Sequence, residues 1–197
     1  MSRRTETLPE DYFAGIYASD PDPWKFTTSA YERDKYAATL AALPRPRYRS
    51  AFEPACAIGV FTRALSERCD RLLAADPVLA AVEAARARCA DRPSVEIRQG
   101  ALPADWPEGR FDLIVLAEFL YFLAPPDLAA LVRRAGDAIE PGGDLMLVHW
   151  IGETDYPQSG DEAAESFIAQ AAPFAELLHQ ARTDKYRLDV LRAGDAA

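Results

Sequence analysis

The feature that most constrains this chain is a strand, a run of small residues and a helix, followed by a second strand that ends on an acid. Residues 48–53 read as a strand closing on Glu53. Ala55-Cys56-Ala57-Ile58-Gly59 is mostly small, and residues 60–68 read as helical. Residues 71–75 form a short apolar run that ends at Asp76. In an open α/β sheet a ligand lies beyond the carboxyl ends of the strands. Small residues let the backbone approach it, and an acid closing the second strand accepts hydrogen bonds from ribose hydroxyls.

The alternation continues down the chain. An Ala-rich helix is expected over residues 78–90, strands over 95–99 and 111–117, and a helix over 126–139. Pro141-Gly142-Gly143 reads as a turn before a strand over 145–150, and residues 161–172 as a helix. Residues 176–182 and 186–192 flank the polar turn Thr183-Asp184-Lys185, a hairpin pattern. Strands alternating with helices imply right-handed βαβ units. The expected fold is α/β and doubly wound, with a mostly parallel seven-stranded sheet and a C-terminal antiparallel hairpin. Residues 1–197 are read as a single domain, with residues 1–46 as an N-terminal lid or cap and 47–197 as the core. Within the cap, Asp20-Pro21-Asp22-Pro23-Trp24 reads as a turn ending in an anchored aromatic. Thr28 or Ser29 is expected to cap a helix over 30–43 with Glu32 in its first turn.

Charge narrows the partners. Of 197 residues, 22 are Lys or Arg and 31 are Asp or Glu, a net charge of -9. Such a surface repels phosphate backbones and anionic lipid, so nucleic acid and membranes are not expected partners. The stretch MSRRTETLPEDY has no apolar run after its arginines and does not read as a signal peptide. Cys56, Cys69 and Cys89 have no CxxC spacing and read as thiols of a reducing compartment. A cytoplasmic protein is expected. With His149 and His179 the only histidines, no metal site is expected.

The loop from Glu53 to Gly59 resembles the E-x-G-x-G-x-G pattern of class I S-adenosylmethionine methyltransferases, Rossmann-like enzymes, with Ala55 and Ala57 where glycines are usual. Two alanines also argue against a dinucleotide, whose pyrophosphate needs closer backbone approach. Gln99-Gly100-Ala101 follows the third strand, where that family places adenine contacts. Ile139-Glu140-Pro141-Gly142-Gly143 resembles its turn before strand five. A more specific resemblance covers most of the chain. Asp22-Pro23-Trp24, Ser29-x-Tyr31-Glu32-x-x-Lys35-Tyr36, Glu53-Pro54-x-Cys56-x-Ile58-Gly59, Glu118-x-x-Tyr121, Val148-His149-Trp150 and the run Tyr186 to Leu191 are similar to the NodS-like methyltransferases. Founding members of that family N-methylate the glucosamine end of a chitooligosaccharide. The resemblance implies S-adenosyl-L-methionine as cofactor and a small-molecule methyl acceptor that is an amine, with an amino sugar as the specific case.

The resemblance also implies roles. Cofactor contacts fall to Trp24, Tyr31, Glu53, Ala55, Cys56, Gly59, Asp76, Gln99, Gly100 and Ala101. Glu53 would hold the ligand's ammonium or order water there, although it also suits a charge facing the N-terminus of the next helix; Asp76 would hold the ribose, although Asp76 before Pro77 also suits a plain turn. Trp24, Tyr31 and Tyr36 suit a lid that excludes water, and equally suit anchoring of the N-terminal helix. Glu118, Tyr121 and His149 are the candidate catalytic residues, although Glu118 also suits a helix-start charge and Tyr121 a core-edge aromatic. An amine acceptor must lose a proton, and Glu118 or His149 could take it; His149 equally suits a strand-end hydrogen bond to backbone. Trp150, Asp155 and Tyr156 suit an acceptor platform or a loop anchor. The alternatives are an O-methyltransferase, a non-catalytic methyltransferase-like binding protein and, ranked last for want of G-x-G-x-x-G, an NAD-dependent oxidoreductase. A monomer and a homodimer are both compatible with the sequence.

Overall fold

The computed structural model describes residues 3–195. Its helices are α1 (Glu10–Ser19), α2 (Ala30–Ala42), α3 (Val60–Leu65), α4 (Leu79–Arg88), α5 (Pro125–Ala138) and α6 (Gly160–Ala171). Its strands are β1 (Ala51–Pro54), β2 (Leu72–Asp76), β3 (Val95–Gln99), β4 (Phe111–Ala117), β5 (Ile139–Trp150), β6 (Ala175–Arg182) and β7 (Tyr186–Ala193). They form one seven-stranded sheet in the order β3-β2-β1-β4-β5-β7-β6. Pairings β1–β2, β2–β3 and β4–β5 are parallel. Strand β7 runs antiparallel to both β5 and β6. This is the doubly wound architecture with a closing hairpin that the alternating pattern implies.

Burial follows position in the sheet. Every residue of β1 is buried, as are the first six of β4, so these strands are covered on both faces and read as continuous apolar runs. The edge strands β3 and β6 are largely exposed. Helix α5 buries Leu128, Leu131, Val132, Ala135 and Ala138, the three- and four-residue spacing of a single helical face. Ser29 caps α2 by accepting from the Glu32 amide, and Ser159 with Glu162 forms a capping box on α6. Among the described residues no helix is long and apolar enough to cross a membrane.

Two expectations are corrected and one element is added. The added element is helix α1, for which the polar, proline-bearing composition gave no signal; Pro9 precedes it without a side-chain cap. The expected helix over 60–68 is α helix only to Leu65 and then a 3-10 turn, Ser66–Arg68. Pro141-Gly142-Gly143 does not separate a helix from a strand, because β5 begins at Ile139 and carries the glycines as a bulge. Phe111 pairs with Ile139 but Leu113 with Asp144, so extra residues loop out of the ladder. Glycine is required there: a Cβ on Gly143 would lie 2.8 Å from the Glu140 carbonyl oxygen.

The chain divides into two compact units. Pro9–Ala101 carries β1 to β3, and the rest of the described chain, including the segment before Pro9, carries β4 to β7.

Candidate cofactor and acceptor sites

In the first unit the loop after β1 holds a backbone that its side chains oppose. Ala55 has φ +55° and Ala57 φ +51°, both left-handed, and Gly59 follows at +75°. A left-handed alanine costs about 1–2 kcal/mol, so the alanines keep the glycine-type path only because the surroundings enforce it. The enforcing bonds are visible. Cys56 N–H donates to the Ala75 carbonyl (3.0 Å) and Gly59 N–H to that of Cys56 (3.0 Å). Ala57 N–H donates to Asp76 Oδ2 (2.9 Å) and Val78 N–H to Asp76 Oδ1 (3.0 Å). Asp76 therefore pins both the loop and its own turn, while its oxygens keep further lone pairs. Gly59 meets a packing need as well: a Cβ there would lie 2.8 Å from that of Ala85, where α3 meets α4.

Both acids of this loop are buried, Glu53 at 3% and Asp76 at 6% exposure. Burial pushes the Glu53 carboxyl up to about 8, with the Thr62 hydroxyl opposing and the Asp76 charge adding. Burial likewise lifts Asp76 to about 6, against its two backbone hydrogen bonds. Glu53 Oε2 has no hydrogen-bond partner among the described residues. A buried polar oxygen left bare costs about 1–3 kcal/mol, and it is a ready acceptor for a cationic or hydroxyl group. Cys56 beside it is buried and its thiol is held well above the usual range, by burial first and then by Asp76 and Glu53. Gly100 N–H donates to the Asp76 carbonyl (3.1 Å) and Gln99 Nε2 to that of Pro77 (2.9 Å), so residues 99–100 dock on the same turn. Ala101 is exposed just beyond it.

The N-terminal aromatics divide by environment. Asp22 organises the turn before α2 by accepting from the amides of Phe26 and Thr27. Trp24 in that turn is 37% exposed and meets Tyr17 edge-on at 5.6 Å. Tyr17 is buried; burial raises its hydroxyl, and the Asp76 charge raises it further. Sequence reasoning missed Tyr17. The available signal was the i, i+4 pair Phe13 and Tyr17, which packs around Ile58, Val78 and Ala81. Tyr31 is half-buried under the Lys35 ammonium, 5.0 Å from its ring centre. Lys35 and Glu32 are a buried ion pair at 3.0 Å, where the sequence suggested only a first-turn charge. Tyr36 packs on Phe61 with the rings tilted by 35° and their centres 5.1 Å apart, which ties α2 to α3.

In the second unit Glu118 follows β4 at φ +59°. Its Oε2 accepts from the Tyr121 hydroxyl and from the Trp150 amide, both at 2.8 Å. Tyr121 sits in a 3-10 turn, Leu120–Phe122, and stacks on Tyr156 at 5.5 Å with 12° between the planes. His149 is fully buried, meets the Tyr121 ring edge-on at 5.6 Å, and its Nε2 accepts from the Leu120 amide at 3.4 Å. The structure thus brings Glu118, Tyr121 and His149 together. It adds Gln158, absent from the sequence reading, whose side chain donates to the Leu123 carbonyl (2.8 Å).

Residues 17–146 match the family described as Nodulation protein S (NodS). The chain belongs to the NodS family. A NodS from Bradyrhizobium diazoefficiens is 33% identical over 128 residues, which is 64% of this chain and 61% of that protein. One from Rhizobium tropici is 33% identical over 130 residues, 64% of this chain and 54% of that protein. The chain thus spans less than two thirds of the length of these relatives. A Pseudomonas syringae structure, described only provisionally as a methyltransferase, is 40% identical with TM-score 0.73, covering 83% of this chain and 99% of that one. The N-methyltransferase NodS of Bradyrhizobium japonicum WM9, solved with S-adenosyl-L-homocysteine, shares the fold at TM-score 0.80 and 20% identity, covering 93% of this chain and 98% of that one. The NodS match includes Glu53, Asp76, Glu118 and Tyr121 and stops before His149, Trp150 and Tyr156.

Proposed function

We propose that this NodS-family chain is an S-adenosyl-L-methionine-dependent N-methyltransferase acting on a small amine acceptor. The observation that carries the reading is the loop from Glu53 to Gly59. A left-handed backbone is held against the preference of its alanines, beside a buried glutamate with a bare oxygen. Those features fit a nucleoside with a cationic amino-acid end: Glu53 suits the ammonium, and Asp76 with the Gln99–Ala101 segment suits the nucleoside. When bound, the cofactor supplies an electrophilic methyl on sulfur. The Bradyrhizobium japonicum relative was solved with the demethylated form of that compound.

The chain's own residues supply orientation, exclusion of water and a proton acceptor. Glu118 is assigned as the group that takes the acceptor's ammonium proton. The Tyr121 hydroxyl and the Trp150 amide fix one of its oxygens, so the carboxylate is aimed before acceptor arrives. His149 is assigned a positioning role instead, because it is fully buried and its Nε2 is engaged by the Leu120 amide. Trp24 and Tyr31 are assigned to covering the cofactor. Residues 1–197 are read as one catalytic domain.

An amino sugar is the first acceptor to test, as the terminal glucosamine of a chitooligosaccharide. Methyl transfer from labelled cofactor to that sugar, its N-acetylated form and simple amines is the decisive experiment. Label on free amines alone supports N-methylation. Label on the acetylated sugar instead shifts the reading to O-methylation, and no transfer to any acceptor contradicts it.

A further inference from the structure

The sequence placed residues 3–8 in the N-terminal cap without giving any of them a partner. In the structure they cross the second unit as a strap held at four places, the first of them an ion pair from Arg3 to Glu162 at the start of α6. Arg4 N–H donates to the Asp155 carbonyl (2.9 Å), and its guanidinium Nε donates to the Asp155 carboxylate (3.2 Å). The Thr7 hydroxyl donates to Asp127 and accepts from Ala124 N–H (2.8 Å) at the start of α5, a helix whose N-cap residue, Ala124, makes no side-chain cap. Leu8 is buried, and its N–H donates to the Phe122 carbonyl (2.9 Å).

The anchors flank the acceptor machinery. Asp155 adjoins Tyr156 and Phe122 adjoins Tyr121, the two rings that stack, and Phe122 itself meets Tyr156 edge-on at 4.8 Å. Tyr121 in turn donates to Glu118. The strap thus ties together the two chain segments whose rings set the direction of the carboxylate. Four separate anchors, on residues 122–127, on Asp155 and on Glu162, exceed what burying one leucine requires.

We propose that Arg4 and Thr7 are positioning residues for methyl transfer, holding the Tyr121–Tyr156 stack in register so that Glu118 faces the acceptor. This rests on the assignment of Glu118 and Tyr121 to the acceptor site. It assigns these residues no part in cofactor binding, because the cofactor loop is fixed by its own bonds to Asp76.

The test compares wild type, Arg4→Ala with Thr7→Val, and the conservative Thr7→Ser. Amide hydrogen exchange is followed over residues 118–122 and 150–158, cofactor affinity by calorimetry, and KM and kcat for a glucosamine-ended chitooligosaccharide. The double variant is expected to exchange those amides about tenfold faster than wild type. Its acceptor KM is expected to rise about tenfold, in line with the cost of a small misplacement at a reacting centre, while cofactor affinity is retained. Thr7→Ser is expected to match wild type. Unchanged exchange and unchanged KM in a folded double variant overturn the proposal. So does a parallel loss of cofactor affinity and overall stability, which marks a merely structural segment. If wild type methylates no amine, the acceptor assignment fails by itself, and the exchange comparison still decides whether the strap holds the stack.

Discussion

The loop after β1 and the segment after β4 both force a non-glycine residue into left-handed backbone, and there they part. Around the first loop, Glu53 is buried with an oxygen that nothing in the described chain satisfies, and two acids sit above their ordinary range. At the end of β4, the one oxygen of Glu118 already takes two hydrogen bonds, from Tyr121 and Trp150. On the proposed reading the first arrangement takes a ligand's cationic group, whereas the second uses its bonds to aim a carboxylate. Strained backbone alone does not separate the two roles, whereas the hydrogen-bond inventory of the acid beside it does.

The largest effect that would break this contrast is on Glu53. Glu53→Gln is expected to weaken cofactor binding by about 100-fold, since the carboxyl can give up its proton beside an ammonium group and neutralise it, whereas the amide cannot. The variant is expected to fold, because the change removes a buried acid; calorimetry and circular dichroism check both halves. The second effect is on Glu118. Glu118→Gln is expected to lower kcat about 100-fold, within the usual range for a positioned proton acceptor, with cofactor affinity unchanged. Equal losses in both parameters for either variant would erase the distinction.

The pH dependence sharpens the comparison from the side of stability. Glu53 and Asp76 titrate higher folded than unfolded, so the native state binds more protons and stability falls as pH rises. The ligand-free melting temperature is expected to decline between about pH 5 and about pH 8, and less steeply in Glu53→Gln. A melting temperature that rises across that window would contradict the assignment of buried, proton-retaining acids. Smaller again is Tyr121→Phe, which removes one hydrogen bond to Glu118 and is expected to cost about 1 kcal/mol of stability, read by chemical denaturation. The smallest expected effect is Ala57→Gly. Relief of left-handed strain opposes the added freedom of the unfolded chain, leaving a net change within about 1 kcal/mol.

How much of this was legible follows from where the signals lie. Strand and helix order was readable because apolar periodicity and the Pro–Gly punctuation are local. The positions of Glu53, Asp76, Glu118 and Tyr121 in the fold were readable because each sits at a strand end or just beyond, where open α/β folds place ligands. Helix α1 was not, because it lacks a capping side chain and lies among prolines. The bulge in β5 was not, because Pro141-Gly142-Gly143 carries the same local signal as a turn and only the pairing with β4 decides. Tyr17, Gln158 and the strap at residues 3–8 owe their positions to tertiary partners distant in sequence, which periodicity does not report. The pair Glu32 and Lys35 was visible as spacing, but its burial was not.

The central claim is that the Glu53 to Gly59 loop binds S-adenosyl-L-methionine. Calorimetric titration of the folded wild-type protein with that compound, alongside Glu53→Gln and with NAD as control, tests it most directly. The expected result is micromolar binding to wild type, about -8 kcal/mol, a much weaker response from Glu53→Gln and none with NAD. No heat of binding from folded wild type, or equal affinity in the variant, would contradict it.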